Sequence, residues 1–227
     1  MKIGILTPME EEIRLLHETI DHAIEHNEKG FEAFEGKYAG HDLVVVRCGI
    51  GKVAAAIGAT ILIDRFGVEA IINNGSAGSL SSKLHIGDVV LSDKFAYNDA
   101  DATQFGYPYG QIPAQDSLYF EADSKLLEVV KSVNPNAHTG LIVSGDSFIG
   151  TNVQKEFITG HFPDALCTEM EGAAVAQVAK QFGIPFVAVR GISDEADDSA
   201  SVNFDEYVVE AGRVSAATTL KLIEKLA

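Results

Sequence analysis

Short apolar runs alternate with amphipathic stretches along the whole chain. The apolar runs predict strands at Lys2–Leu6, Leu43–Cys48, Ala70–Asn73, Asp88–Ser92, Thr139–Val143 and Phe186–Arg190. Several are nearly continuous Val, Ile and Leu, the pattern of strands buried on both faces. Helical spacing predicts helices at Glu10–Thr19, Val53–Arg65, Ser124–Lys131, Gly172–Gln181 and Asp205–Lys225. The last ends with Lys221 and Lys225, cations suited to a helix C-terminus. Phe31–Tyr38 reads as an edge strand or hairpin arm. No linker-like stretch or internal repeat divides the chain. The alternation therefore implies an α/β fold: one domain over 1–227, a three-layer α/β/α sandwich around a mixed, mostly parallel central sheet. Ligands of such sheets sit at the carboxyl ends of the strands. The residues that follow each strand are the ones to examine.

Composition narrows the partners. The 227 residues carry a formal net charge of −16, which disfavours nucleic acid and anionic membrane surfaces, since phosphate binding needs clustered Lys and Arg. No window is long and apolar enough to span a membrane, and the opening Met1–Leu6 run is too short for a signal peptide. A cytoplasmic location is expected. Cys48 and Cys167 both sit in apolar runs and read as small buried residues. Neither C-x-x-C nor H-E-x-x-H occurs, so no metal site and no cofactor is expected.

Polar chemistry follows the strands. After the first come Met9-Glu10-Glu11-Glu12, three carboxylates at a helix start. They suit the helix dipole, and a helix face can still aim one of them over the sheet edge. Gly49-Ile50-Gly51-Lys52-Val53-Ala54 matches G-x-G-x-x-A, a weak dinucleotide fingerprint here. It reads better as a tight strand-to-helix turn. Asn74-Gly75-Ser76-Ala77-Gly78-Ser79 reads as a small-residue loop whose amides and Ser76 could cradle an oxygen; it holds no Arg or Lys. Phe148 in Ser144-Gly145-Asp146-Ser147-Phe148-Ile149 could stack on a flat ring. Glu169-Met170-Glu171 could be helix-start charge, or a carboxylate gripping vicinal hydroxyls. Arg190-Gly191-Ile192-Ser193-Asp194 ends the last buried strand, and the acidic stretch after it looks like loop. Glu12, Glu171 and Asp194 would converge on one edge with Ser76 and Arg190. Three acids in one cleft suit chemistry on an uncharged or cationic group rather than on an anion.

In this order, the motifs resemble those of bacterial 5′-methylthioadenosine/S-adenosylhomocysteine nucleosidases, of the nucleoside phosphorylase/hydrolase superfamily. The resemblance covers essentially the whole chain, and Asp99-Ala100-Asp101-Ala102-Thr103-Gln104-Phe105-Gly106-Tyr107 is especially specific to it. It implies that water cleaves the N-glycosidic bond of 5′-thioadenosines, and that 5′-deoxyadenosine is a further substrate. Asp194 would protonate adenine N7, with Ser193 orienting it. Phe148 would stack on adenine, and the Ile149 backbone would read its edge. Glu171 would hold the ribose hydroxyls, with Glu169 and Met170 beside it. Glu12 would activate the water, helped by Arg190 and by the Ser76, Ala77 and Gly78 stretch. Met9, Ile50 and Phe204 would line the 5′-alkylthio pocket. Such a reaction passes through an oxocarbenium-like state that one acid and one base flank. Free aspartate has a pKa of about 3.9, so burial must raise it for Asp194 to act as an acid at neutral pH. Met-Glu-Gly-Ala-Ala stands where Met-Glu-Ala-Thr-Ala is commoner. The change at Gly172 and Ala173 bears on fine substrate preference, not on the reaction.

The segment from Phe95 to Phe120 holds seven of the eighteen aromatic residues, interrupted by Gly106, Pro108, Gly110 and Pro113. Such aromatics must be buried, either under their own domain or against a partner chain. The resemblance implies a homodimer in which Phe105 and Pro113 cap the neighbour's 5′ pocket. Two other functions stay open: a phosphorylase of the same superfamily, with phosphate as nucleophile, and a non-catalytic nucleoside-binding protein.

Overall fold

The computed structural model describes residues 1–28 and 31–226. Its elements follow as β1 (Lys2–Thr7), α1 (Glu10–Thr19), β2 (Asp21–Glu28), β3 (Phe31–Tyr38), β4 (His41–Arg47), α2 (Lys52–Asp64), β5 (Ala70–Ser79) and β6 (Val89–Tyr97). Then come β7 (Phe120–Glu121), α3 (Ser124–Val133), β8 (His138–Ser144), α4 (Asn152–His161), β9 (Ala165–Glu169), α5 (Gly172–Phe182), β10 (Phe186–Asp194) and α6 (Ala200–Leu226). Every expected strand and helix is present. The elements without an advance signal are β2, β7, α4 and β9. Strand β2 is almost wholly polar and pairs with β3 at the sheet's edge, where charged residues are at home. Helix α4 buries only Ile158, too little for a visible apolar stripe.

The fold is α/β and its sheet is mixed. Five of the described strand pairings are parallel and five are antiparallel. The antiparallel ones are the β2–β3–β4 meander, β10–β6, and the short β5–β9 and β6–β7 pairings. The strand order is β10-β6-β8-β9-β5-β1-β4-β3-β2, and β10 also pairs with β5. Five strands thus close into a ring, and β1, β4, β3 and β2 extend from it as an open wing. Alternate residues of one strand enter different cores, as the pleat requires. Leu6, Val44, Val46 and Ile71 pack with Ala55, Ala59 and Leu62 of α2 and Val175 and Ala179 of α5. Ile3, Ile5, Leu43, Val45 and Ile72 pack with Ile13 and Leu16 of α1, Val130 of α3 and Leu222 of α6.

One expected loop is strand, and one strand runs past its expected end. Asn74–Ser79 continues β5, all ten residues of which are buried. Residues 191–194 continue β10, buried throughout. The register sets Arg190 opposite Gly75 and Asp194 opposite Gly78. Polar side chains survive here because each finds a buried partner, as described below. Helix α6 starts at Ala200, five residues before the expected Asp205, and so includes Phe204. Cys167 is buried as expected, but Cys48 is only partly so. Among the described residues no helix is long and apolar enough to cross a membrane.

Candidate active site

One cavity of about 360 Å³ opens where β5, β9 and β10 meet the starts of α1 and α6. Glu12, Met9, Ile50, Ser76, Ala77, Gly78, Phe148, Glu169, Met170, Glu171, Arg190, Ser193, Asp194 and Phe204 all line it, with Pro8 and Thr168, which sequence reasoning passed over. Ile149, Phe105 and Pro113 do not. Ile149 is buried in a neighbouring cluster with Leu80 and Val143. Phe105 is 83% exposed, and Pro113 is exposed too. Of the two ways to bury the 95–120 aromatics, most take the first, under their own domain. β6 and β7 turn Phe95, Tyr97 and Phe120 into this chain's own core, and Tyr109 and Tyr119, outside those strands, pack against a second cluster. A larger surface cavity of about 870 Å³ lies between the 79–85 turn and α4. It shares no residue with the first, and its lining mixes polar side chains such as Lys83, Lys155 and Glu156 with apolar ones such as Leu80 and Leu166.

Three acids sit side by side at the start of α1, and only the third is buried. Glu12 occupies the third helical position, where its carboxylate can reach back to the N-cap amide. Oε2 accepts from the Met9 amide and from Thr7 Oγ1, both at 3.2 Å. Oε1 accepts from the Ser76 amide at 2.8 Å and Ser76 Oγ at 2.7 Å. Burial pushes the Glu12 carboxyl above the usual carboxylate range, opposed by the charge of Arg190 and by these hydrogen bonds. Glu10 is exposed and lies 3.5 Å from Arg47, a surface role.

Asp194 ends β10. Its Oδ2 accepts from Ser193 Oγ at 2.8 Å and its Oδ1 from the Ala196 amide at 2.9 Å. Burial raises its pKa above the aspartate norm against both bonds. A Cβ on Gly78 would lie 2.7 Å from Asp194 Oδ1, so the strand opposite the acid has room only for glycine.

Arg190 is fully buried and gathers the rest. Its Nη2 donates to Asn73 Oδ1 at 2.6 Å and to Glu169, and its Nη1 donates to the Ser76 carbonyl at 3.1 Å. Nη1 also lies 3.5 Å from Glu171 Oε2. Burial opposes its charge, but Glu169, Glu171 and Glu12 outweigh that and raise its pKa. Glu171 accepts from the Gly51 amide at 2.9 Å, and burial pushes its pKa up. Here the Gly-x-Gly turn has its use: its amide faces a protein carboxylate. Glu169 Oε2 accepts from the Glu171 and Gly172 amides at 3.0 and 2.7 Å, and its Oε1 from Ser144. It thus satisfies the free amides at the start of α5. Asn73 and Ser144 are the supporting residues the sequence did not single out.

The Gly172 departure has a packing cause. A Cβ there would lie 2.2 Å from the ring of Phe95, and neither Gly172 nor Ala173 lines the cavity. Glycine at 172 is thus a fit to the ring of Phe95. Phe148 is partly exposed and meets Phe204 edge-on at 5.6 Å between ring centroids, so that the two rings form an apolar wall of the cavity. Among the described residues no group of His, Cys, Asp and Glu is placed to hold a metal ion.

A model of the phosphorylase superfamily matches residues 2–227. The 5′-methylthioadenosine/S-adenosylhomocysteine nucleosidase of S. pneumoniae, solved with the transition-state inhibitor MT-ImmA, is 43% identical. The match covers 100% of both chains with a TM-score of 0.96. The chain belongs to the 5′-methylthioadenosine/S-adenosylhomocysteine nucleosidase family of that superfamily. Two further members match as fully. The S-adenosylhomocysteine nucleosidase of Streptococcus pyogenes, in complex with 5-methylthiotubericidin, is 42% identical over 100% of this chain and 98% of that one, with a TM-score of 0.97. The family member from Neisseria meningitidis, in complex with methylthio-immucillin-A, is 38% identical over 98% of each chain, with a TM-score of 0.95.

Proposed function

We propose that this protein hydrolyses the N-glycosidic bond of 5′-methylthioadenosine and S-adenosylhomocysteine, releasing adenine and the 5-substituted ribose. The observation that carries the reading is the pairing of two buried carboxyls, Glu12 and Asp194, in one cavity with an apolar Phe148–Phe204 wall. Asp194, its proton affinity raised by burial, donates to N7, so that adenine leaves as a neutral base. Ser193 Oγ and the Ala196 amide orient the acid. Glu12 holds and deprotonates water, fixed by Ser76 from below. Glu171 accepts the ribose hydroxyls, with Met170 beside the sugar. Glu169 and Arg190 position Glu171 rather than touch the reacting bond, because both Glu169 oxygens and both terminal nitrogens of Arg190 are already engaged. Phe148 stacks on adenine, the Ile149 backbone reads its edge, and Met9, Ile50 and Phe204 receive the alkylthio group. Ala77 and Gly78 let the ligand approach β5.

The nucleophile is water rather than phosphate. The cavity's residues include four acids and one cation, Arg190, whose terminal nitrogens are taken up by protein oxygens. A dianion would meet repulsion there. Adenine release from 5′-methylthioadenosine is expected at full rate in phosphate-free buffer, with free methylthioribose as product. Release that depends on added phosphate would make the protein a phosphorylase. Glu12→Gln is expected to lower kcat by about 10²–10⁴-fold, the usual contribution of a general base, with KM little changed. A Gln variant within tenfold of the parent would remove Glu12 from the mechanism.

The same reading includes 5′-deoxyadenosine as a substrate, a cytoplasmic location supported by two free thiols, and a three-layer α/β/α arrangement supported by the two helix sets that bury alternate strand residues. It also includes a homodimer through the 95–120 segment, with Phe105 and Pro113 covering the partner's 5′ pocket. Support comes from the exposure of Phe105, and separately from a groove of α2 and α5, edged by Lys52, that leaves Val53 and Phe182 uncovered.

A further inference from the structure

Part of the Gly49-Ile50-Gly51-Lys52 turn is not used by the cavity. Ile50 lines it and the Gly51 amide holds Glu171, but Lys52 does not reach it. The Lys52 ammonium lies 2.8 and 2.7 Å from the two carboxylate oxygens of Asp99 and 3.8 Å from Asp146 Oδ2. The backbone joins the same cluster. The Lys52 amide donates to Asp146 Oδ1 at 2.7 Å, and the Asp146 amide donates to Asp99 Oδ2 at 2.9 Å. Three segments far apart in sequence therefore meet on one ammonium. The approach is close: a Cβ on Gly51, whose φ is +97°, would lie 3.0 Å from Asp146 Oδ1.

Charge explains why the lysine matters. Asp99 and Asp146 face each other across an amide, and Lys52 is the cation between them; without it the two carboxylates repel. The Lys52–Asp99 pair is partly exposed, with 27% and 30% of the two side chains open to solvent, so it adds little to global stability. Its effect is local. The turn carries Ile50 and the Glu171 donor, and Phe148 stands two residues beyond Asp146. Asp99 also opens the segment that bears Phe105 and Pro113.

We infer that Lys52 is a positioning residue of the nucleoside site: shared by Asp99 and Asp146, its ammonium locks the 49–52 turn against the 145–148 loop and so sets the spacing between Glu171 and Phe148. The inference rests on the reading of the cavity as a nucleoside site. Its test uses the full chain with Lys52→Met. In the ligand-free protein, amide hydrogen exchange at Gly51 and Asp146 is expected to quicken while the melting temperature stays put. With 5′-methylthioadenosine, KM is expected to rise roughly tenfold and kcat to stay within about twofold, the pattern of lost ground-state binding. Lys52→Arg, which keeps the charge, restores both. Lys52→Gln repeats the test should the Met variant fold poorly. Unchanged exchange at the two amides, or a KM equal to that of the parent, overturns the inference. The exchange arm needs no substrate, so a failure of the nucleosidase reading and a failure of the lock are told apart.

Discussion

Asp194→Asn is expected to cut the turnover of 5′-methylthioadenosine by about 10²–10⁴-fold, the contribution of a well-placed general acid, while adenine still binds. The substitution isolates the proton. Asparagine has the shape of aspartate; its carbonyl can still accept from the Ala196 amide, and its NH₂ can donate to Ser193 Oγ, the two partners of the parent side chain. The cavity is therefore kept and only the acid is lost. Burial raises the Asp194 pKa, so its protonated fraction persists above the ordinary aspartate range and declines as pH rises through the raised value. The parent enzyme should show a falling alkaline limb in kcat/KM that the Asn variant lacks. Turnover within tenfold of the parent, or an unchanged alkaline limb, would sink Asp194 as the acid. Adenine release, followed by its absorbance, and calorimetric binding of adenine decide the matter together.

Arg190→Met carries the largest expected loss of stability, about 3–5 kcal/mol. Removing one member of a buried charge cluster strands the others. Here the stranded groups are Glu169 and Glu171, both buried, with Asn73 Oδ1 losing its donor as well. Against a typical total of about 5–15 kcal/mol, this lowers the melting temperature by roughly 6–20 °C for a chain of this size. The sign of the pH dependence is diagnostic. Without the guanidinium to oppose it, burial pushes the Glu171 carboxyl further above its unfolded value. The folded state then binds more protons than the unfolded one between those two values. Stability is recovered as pH falls through that window and lost as pH rises. A Met variant that melts within about 2 °C of the parent at neutral pH, with no gain on acidification, would show that Arg190 does not hold the cluster together.

The acids of the cavity illustrate how far local pattern reaches. Glu12 and Asp194 go with legible strands and Glu171 with the start of a legible helix, so their placement at one sheet edge is readable from the sequence. The choice of Glu12 over Glu10 and Glu11 could not be read from composition, since three adjacent carboxylates suit a helix dipole equally. It depends on which face of α1 meets Ser76, a residue 64 positions away. Glu169 was grouped with the ligand contacts because it sits beside Glu171; only the chain's return through Ser144 and Arg190 shows its oxygens engaged. Phe105 and Pro113 came from family resemblance, and their exposure here fits a surface that meets another chain.

What the sequence determined by itself is what short-range periodicity encodes. Continuous Val, Ile and Leu in β1, β4, β5, β8 and β10, and the helical stripes between them, specify an α/β chain, because burial of each element repeats at its own period. What the tertiary structure decided is everything that rests on contacts between distant segments. The β10–β5 pairing that closes the strand ring, the extension of β5 and β10 through polar residues, the glycine at 172 beneath Phe95, and the gathering of residues 73, 76, 169 and 171 around Arg190 leave no periodic trace. Each requires two stretches to meet across tens of residues, and a buried polar residue looks like a loop residue until its partner arrives to hydrogen-bond with it.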